Sequence, residues 1–161
     1  MTDELKVLKH ETVDRVITTE ILNSLFDDCV YEFKEDRYNG IDMCCTATSK
    51  QQSFTMDIEV KYRKILLSTY KTTMLELEKY NALLQYANKY KVYSVIYPFD
   101  DVVYLFNLNR IDFAKIEKIN IPLPAETLTN GTTYDRRKNV FLVPFHFGTS
   151  FQYDCSEYYT H

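Results

Sequence analysis

Glycine and proline are scarce in this chain, three and four residues respectively among 161. A polypeptide so short of both, yet 45% hydrophobic, is neither linker-rich nor disordered, and its length suits one compact domain over 1–161 with a substantial core. Long apolar runs are missing as well. With no charged-then-apolar leader at the start, neither a membrane span nor a secretory signal is expected, and the expectation is a cytoplasmic protein without a membrane partner. Cysteine spacing is equally uninformative as a framework. Cys29, Cys44, Cys45 and Cys155 contain no CxxC, so reduced thiols are expected, and Cys155 with His146 or His161 offers too few ligands for zinc. His10, His146 and His161 have no partner spacing that suggests catalysis, and there is neither a Gly-rich phosphate loop nor a GxSxG elbow.

The net charge of −4 argues against a protein that coats nucleic acid indiscriminately, but the charge is unevenly distributed. Residues 1–60 hold thirteen acids against six bases, residues 61–91 two against seven, and residues 92–161 eight against six. A basic middle third beside an acidic cluster suits a polyanion held next to a metal site. An ordinary lysine-rich helix in solvent produces the same count.

Several elements are legible from periodicity. From Val13 to Phe26, Val13, Val16, Ile17, Ile21 and Leu25 share a helical stripe, with Thr12 as N-cap and Glu20 inside the apolar sector, where a carboxylate needs a partner. A strand over Cys29–Lys34 leads through the polar stretch Glu35–Asn39 to a second strand, Gly40–Ala47. A second helix is expected from Met74 to Tyr90, with Thr73 and Glu76 in capping-box spacing and Leu77, Tyr80, Leu83, Leu84 and Ala87 buried. VYSVIY and VVYLFNL read as central strands buried on both faces. A short helix near Ile111–Lys118, an irregular stretch around Pro122 and Pro124 and a strand at NVFLVPF follow, while the tyrosine-rich end has no clear assignment.

The most regular segment is FTMDIEVKYR, in which Phe54, Met56, Ile58, Val60 and Tyr62 alternate with Thr55, Asp57, Glu59, Lys61 and Arg63. Together with Gly40–Ala47 it forms an expected antiparallel hairpin around the loop TSKQQ. If both apolar sets face one side, a loop centred on Lys50 and Gln51 sets Met43 against Ile58 and Asp42 against Glu59. The neighbouring registers leave Glu59 diagonal to Asp42. Either way the carboxylates share a face, at about 5 Å between Cβ atoms if opposed and about 7 Å if diagonal.

The order helix, three-strand meander, helix, strand, with GID (Gly40, Ile41, Asp42) on the second strand and EVK (Glu59, Val60, Lys61) on the third, resembles the PD-(D/E)xK phosphodiesterase superfamily, which includes restriction-endonuclease-like and Holliday-junction-resolvase-like nucleases. The match covers roughly Val13 to Tyr97, with Ile41 where the family often has proline. The resemblance implies an α/β fold with a restriction-endonuclease-like αβββαβ core, a mixed sheet flanked by helices and extra C-terminal strands. It implies a metal-dependent endo- or exodeoxyribonuclease that binds Mg²⁺ or Mn²⁺ through Asp42, Glu59 and the Val60 carbonyl. Two converging carboxylates suit a hard ion that takes oxygen ligands at about 2.1 Å and keeps several waters. Lys61 would orient the attacking water or stabilise charge on the phosphate, Glu20 would be a supporting acid, and Asp57 ranks behind these. The implied substrate is DNA, branched or duplex, and the implied assembly is a homodimer; Arg63, Lys64, Lys71 and Lys79 are either phosphate contacts or solvated charges.

Each assignment has a plainer counterpart. Alternating charged strands are usually solvated faces, Asp42 can simply pair with Lys61 or Arg63, and Glu20 can be salt-bridged to a lysine. The rival expectation is a non-catalytic nucleic-acid-binding or assembly protein that retains the nuclease fold. Open convergence of Asp42, Glu59 and Lys61 favours the enzyme, whereas salt bridges under a covering segment favour the rival.

Overall fold

The computed structural model describes residues 3–34, 41–127 and 133–156, with side chains described over 13–34, 41–122 and 137–156. Gly40, the stretch Glu35–Asn39 and His161 lie outside the described residues, as does the side chain of His10. The chain runs α1 (Asp3–Leu25), β1 (Asp28–Phe33), β2 (Met43–Ser49), β3 (Gln52–Tyr62), β4 (Thr72–Glu76), α2 (Leu77–Gln85), β5 (Tyr90–Tyr97), β6 (Val102–Asn107), β7 (Lys118–Thr127), β8 (Thr133–Pro144) and β9 (Gly148–Gln152). It is an α/β fold. A six-stranded mixed sheet has the order β1-β2-β3-β5-β6-β9, and a three-stranded antiparallel sheet has the order β4-β8-β7.

β3 and β5 are parallel neighbours, so the chain must cross over between them, and β4 with α2 forms that crossover. As its near-continuous hydrophobicity requires, β5 is buried on both faces. Val92 and Ile96 face the α1 layer, where Thr18 Oγ lies 2.9 Å from Ser94 Oγ, while Tyr93, Val95 and Tyr97 face α2 and the small sheet. α1 thus covers one side of the large sheet, and α2 with the small sheet covers the other.

α1 begins at Asp3, well before Thr12, which is therefore interior rather than an N-cap. Its buried stripe is Val13, Ile17, Ile21 and Leu22, while Leu25 is half exposed. Glu20 is exposed and does not interrupt the buried stripe; the Tyr153 hydroxyl donates to its Oε2. The β2–β3 hairpin turns at Lys50 and Gln51 and sets Met43 against Ile58, the register expected from the pattern.

Three expectations fail, the first because the element's partner is distant in sequence. Thr72–Glu76 is a strand rather than the start of α2, because Thr73 and Leu75 are buried against β8. The Thr73 hydroxyl accepts from Tyr97 Oη at 2.8 Å instead of capping a helix. α2 is correspondingly short and packs on a narrow strip, with Leu83 buried but Leu84 53% exposed and Ala87 beyond the helix end. The stretch around Pro122 and Pro124 is an edge strand, β7. An edge tolerates residues that cannot donate to the ladder, and its register shifts between Leu123 and Glu126. The Ile111–Lys118 region contains only a single 3-10 turn at Phe113–Lys115, and the unassigned C-terminal stretch supplies β9 along β6.

Candidate metal centre

β2 pairs with β3 only as far as Met43, while β3 continues to Tyr62. The edge of β3 beyond Ile58 would leave backbone donors without a ladder, and Asp42 supplies the missing acceptor. Its backbone N–H donates to the Ile58 carbonyl at 3.1 Å, and its Oδ2 accepts from the Val60 N–H at 2.7 Å. The Asp42 carbonyl in turn accepts from Lys34 N at 2.9 Å, which ties it to the end of β1. In a strand, the N–H and C=O of one residue point to the same side, so the Val60 carbonyl lies on the edge that carries the Asp42 carboxylate.

Glu59 projects from β3 toward α2 and is 5% exposed. Lys79, on the first turn of α2, places Nζ 3.7 Å from Glu59 Oε1. The other oxygen, Oε2, is buried and has no donor among the described residues. Burial, and then the neighbouring Asp42 carboxylate, push the Glu59 carboxyl up to about 8, against the opposing effect of Lys79 and Lys61. Asp42 itself is met from α1, where Arg15 Nη2 lies 3.7 Å from Oδ1 and donates to the Lys34 carbonyl at 2.9 Å. Asp42, Glu59 and Lys61 are therefore neighbours at a break in the ladder, with one cation approaching from each helix.

The other predicted residues go elsewhere. Glu20, expected as a supporting acid, accepts from the Tyr153 hydroxyl and has no described contact with this pair. Asp57 is fully buried in a structural network. It accepts from Lys91 Nζ at 2.6 Å, Asn88 Nδ2 at 2.9 Å and Cys44 Sγ at 3.2 Å. Arg63 donates to the Met74 carbonyl at 2.8 Å, and its buried Nε finds no acceptor among the described residues. Its guanidinium is turned into the crossover rather than offered to a substrate. Lys64 lies over the Tyr62 ring at 5.8 Å, and Lys71 is exposed. Arg15, Asn88 and Lys91 were not singled out from the sequence. Each acts through a tertiary neighbour that no local pattern encodes.

The charged face of β3 is thus not solvated: Asp57 and Glu59 are both buried. A buried carboxylate beside a second carboxylate is a donor set that either a divalent cation or a proton shared between the two can satisfy. Among the described residues, no group of three or more His, Cys, Asp and Glu side chains is placed to hold a metal, so a cation held by Asp42 and Glu59 would need a backbone oxygen or water for its remaining ligands. The Val60 carbonyl lies on the required edge. The cysteines are free thiols, with Cys45 and Cys155 buried, and burial raises the Cys44 and Cys155 thiols to about 11. No helix among the described residues is long and apolar enough to cross a membrane. On the α1 side of the sheet, a separate cavity of about 390 Å³ is lined by apolar residues including Phe26, Phe54 and Leu105. Compared with family models, curated proteins and solved structures, the chain matches none of them.

Proposed function

We propose that this chain is a metal-dependent nuclease with a restriction-endonuclease-like core, hydrolysing phosphodiester bonds in DNA. The observation that carries the reading is the buried, unpartnered Glu59 Oε2 beside Asp42 at the point where β2 and β3 part. Asp42, Glu59 and the Val60 carbonyl would hold Mg²⁺ or Mn²⁺. Such an ion supplies Lewis-acid polarisation of a phosphoryl oxygen and lowers the pKa of water. Lys61, on the same strand face as Glu59, carries an ammonium that can orient the attacking water or meet charge developing on the phosphate. The reading includes duplex or branched DNA as substrate, a homodimer and a cytoplasmic location.

One observation favours the rival, a non-catalytic binding or assembly protein of the same architecture. Glu59 lies beneath α2, and both carboxylates already have cationic neighbours. A calorimetric titration with Mn²⁺, followed by a cleavage assay on duplex and branched DNA, separates the two. The nuclease binds the ion, and Asp42→Ala abolishes both binding and cleavage, whereas Lys61→Ala abolishes cleavage while leaving the fold and most metal affinity. Metal-independent DNA binding that is indifferent to Asp42→Ala would establish the rival.

A further inference from the structure

The two carboxylates are approached symmetrically, by Arg15 of α1 at Asp42 and by Lys79 of α2 at Glu59, each at 3.7 Å. A committed charge-assisted hydrogen bond is about 2.7–2.9 Å long, so each cation is attracted without being bound. Arg15 is anchored by something other than Asp42: its 2.9 Å bond to the Lys34 carbonyl fixes the guanidinium beside the site and uses one of its several N–H donors. Lys79 is on the solvent side of Glu59, with its side chain 39% exposed against 7% for Glu59, so an incoming ligand meets the ammonium first. Charge decides what that ligand is. A divalent ion on two carboxylates is neutral and draws no anion, but Arg15, Lys79 and Lys61 then leave the pocket positive, the field a phosphodiester requires.

We infer that Arg15 and Lys79 compete with the divalent cation for Asp42 and Glu59 and that, once displaced, both donate to the non-bridging oxygens of the substrate phosphate. The inference rests on the nuclease reading above. It assigns each residue two opposed effects, weaker metal binding and stronger DNA binding, which a merely structural side chain does not have.

The test measures both on the full chain. Mn²⁺ affinity is read by calorimetry, and affinity for a short fluorescein-labelled DNA duplex by anisotropy in Ca²⁺, which takes the same oxygen ligands. Arg15→Gln and Lys79→Met are expected to bind Mn²⁺ about fivefold more tightly and the duplex about fivefold more weakly. Arg15→Lys restores the competing charge and so wild-type Mn²⁺ affinity, but it loses the planar fork and recovers only part of the DNA affinity. Lys79 is exposed enough that Lys79→Met folds even if Arg15→Gln does not, and its result alone decides. A variant that binds Mn²⁺ no more tightly, or the duplex as tightly as wild type, overturns the inference while leaving the nuclease reading intact. If the wild-type chain binds no Mn²⁺, the nuclease reading and the inference fall together.

Discussion

Asp57 and Glu59 stand two positions apart on one face of β3 and are buried by the same layer, yet their surroundings diverge. Asp57 is met by Lys91 Nζ at 2.6 Å and by an amide donor at 2.9 Å, so its charge is compensated where it sits. Removing either partner of such a pair leaves a buried charge without compensation, at a cost of about 3–5 kcal/mol. Asp57→Ala is accordingly expected to lower the urea-unfolding free energy by that order, and a loss below about 1 kcal/mol would refute the structural assignment. Glu59, among the described residues, has Lys79 at 3.7 Å, the Asp42 carboxylate beside it and one oxygen without a donor. Its carboxyl is raised from an ordinary 4.5 to about 8, so the folded state holds a proton that the unfolded state has released. The contribution to stability is therefore fully present below about pH 4.5 and lost progressively as pH rises through about 8. Glu59→Gln, which cannot ionise, is expected to flatten the fall in stability over this window and to be the more stable protein at pH 8, by about 2–4 kcal/mol. Parallel pH profiles for the two proteins would mean that Glu59 is not held in this environment.

Among the elements, the β2–β3 hairpin is the most strongly constrained by its own sequence. Strict alternation in FTMDIEVKYR and apolar residues at Met43, Cys45 and Ala47 permit few registers, and the observed one sets Met43 against Ile58, whereas Ile41, expected on the same face, lies before the strand and packs with Leu75 and Leu83 on the other side. The turn joining the strands puts Lys50 at φ 50° and Gln51 at φ 66°. Both are left-handed conformations that a two-residue hairpin demands and that Asn-Gly adopts more readily. Replacing Lys50-Gln51 by Asn-Gly is therefore expected to raise stability by about 0.5–1 kcal/mol with the register unchanged, seen as a higher urea midpoint at constant slope. What was legible in the sequence shares this local character: the hairpin, the central β5 and the juxtaposition of Asp42 with Glu59. β4 carries the pattern of a helix start at Thr73–Glu76, because the partner that makes it a strand, β8, lies more than sixty residues along the chain. β7 pairs with the next strand, but its two prolines suggest a break until its edge position is known, and the place of Arg15 beside Asp42 depends on how α1 lies across the sheet. The position of Glu59 under α2 was equally hidden: alternation predicts that it shares a face with Asp57 and Lys61 but not that this face is covered.

At the scale of the whole molecule, the candidate centre lies where three independent parts of the fold meet. β3 belongs to the large sheet, α2 is the crossover whose preceding strand joins the small sheet, and Arg15 comes from α1 on the opposite layer. A ligand bound there touches the packing of both layers and stabilises only the assembled fold, because the unfolded chain does not bring Asp42 and Glu59 together across their hairpin. Linkage then makes the prediction quantitative. A cation at one hundred times its dissociation constant adds about 2.7 kcal/mol to the folded state. For a chain of this size each kcal/mol raises the melting temperature by about 2–4 °C, so saturating Mn²⁺ is expected to raise it by about 5–10 °C. The effect should grow from pH 6 to pH 8, because the cation must displace the proton on Glu59 and that proton becomes easier to remove as pH approaches about 8. Asp42→Ala removes one of the two carboxylates and should abolish the upward shift. Asp57→Ala should lower the starting temperature and leave the shift intact, since its network with Lys91 and Asn88 is separate from the centre. An equal shift in wild type and Asp42→Ala would place the bound ion elsewhere on the protein.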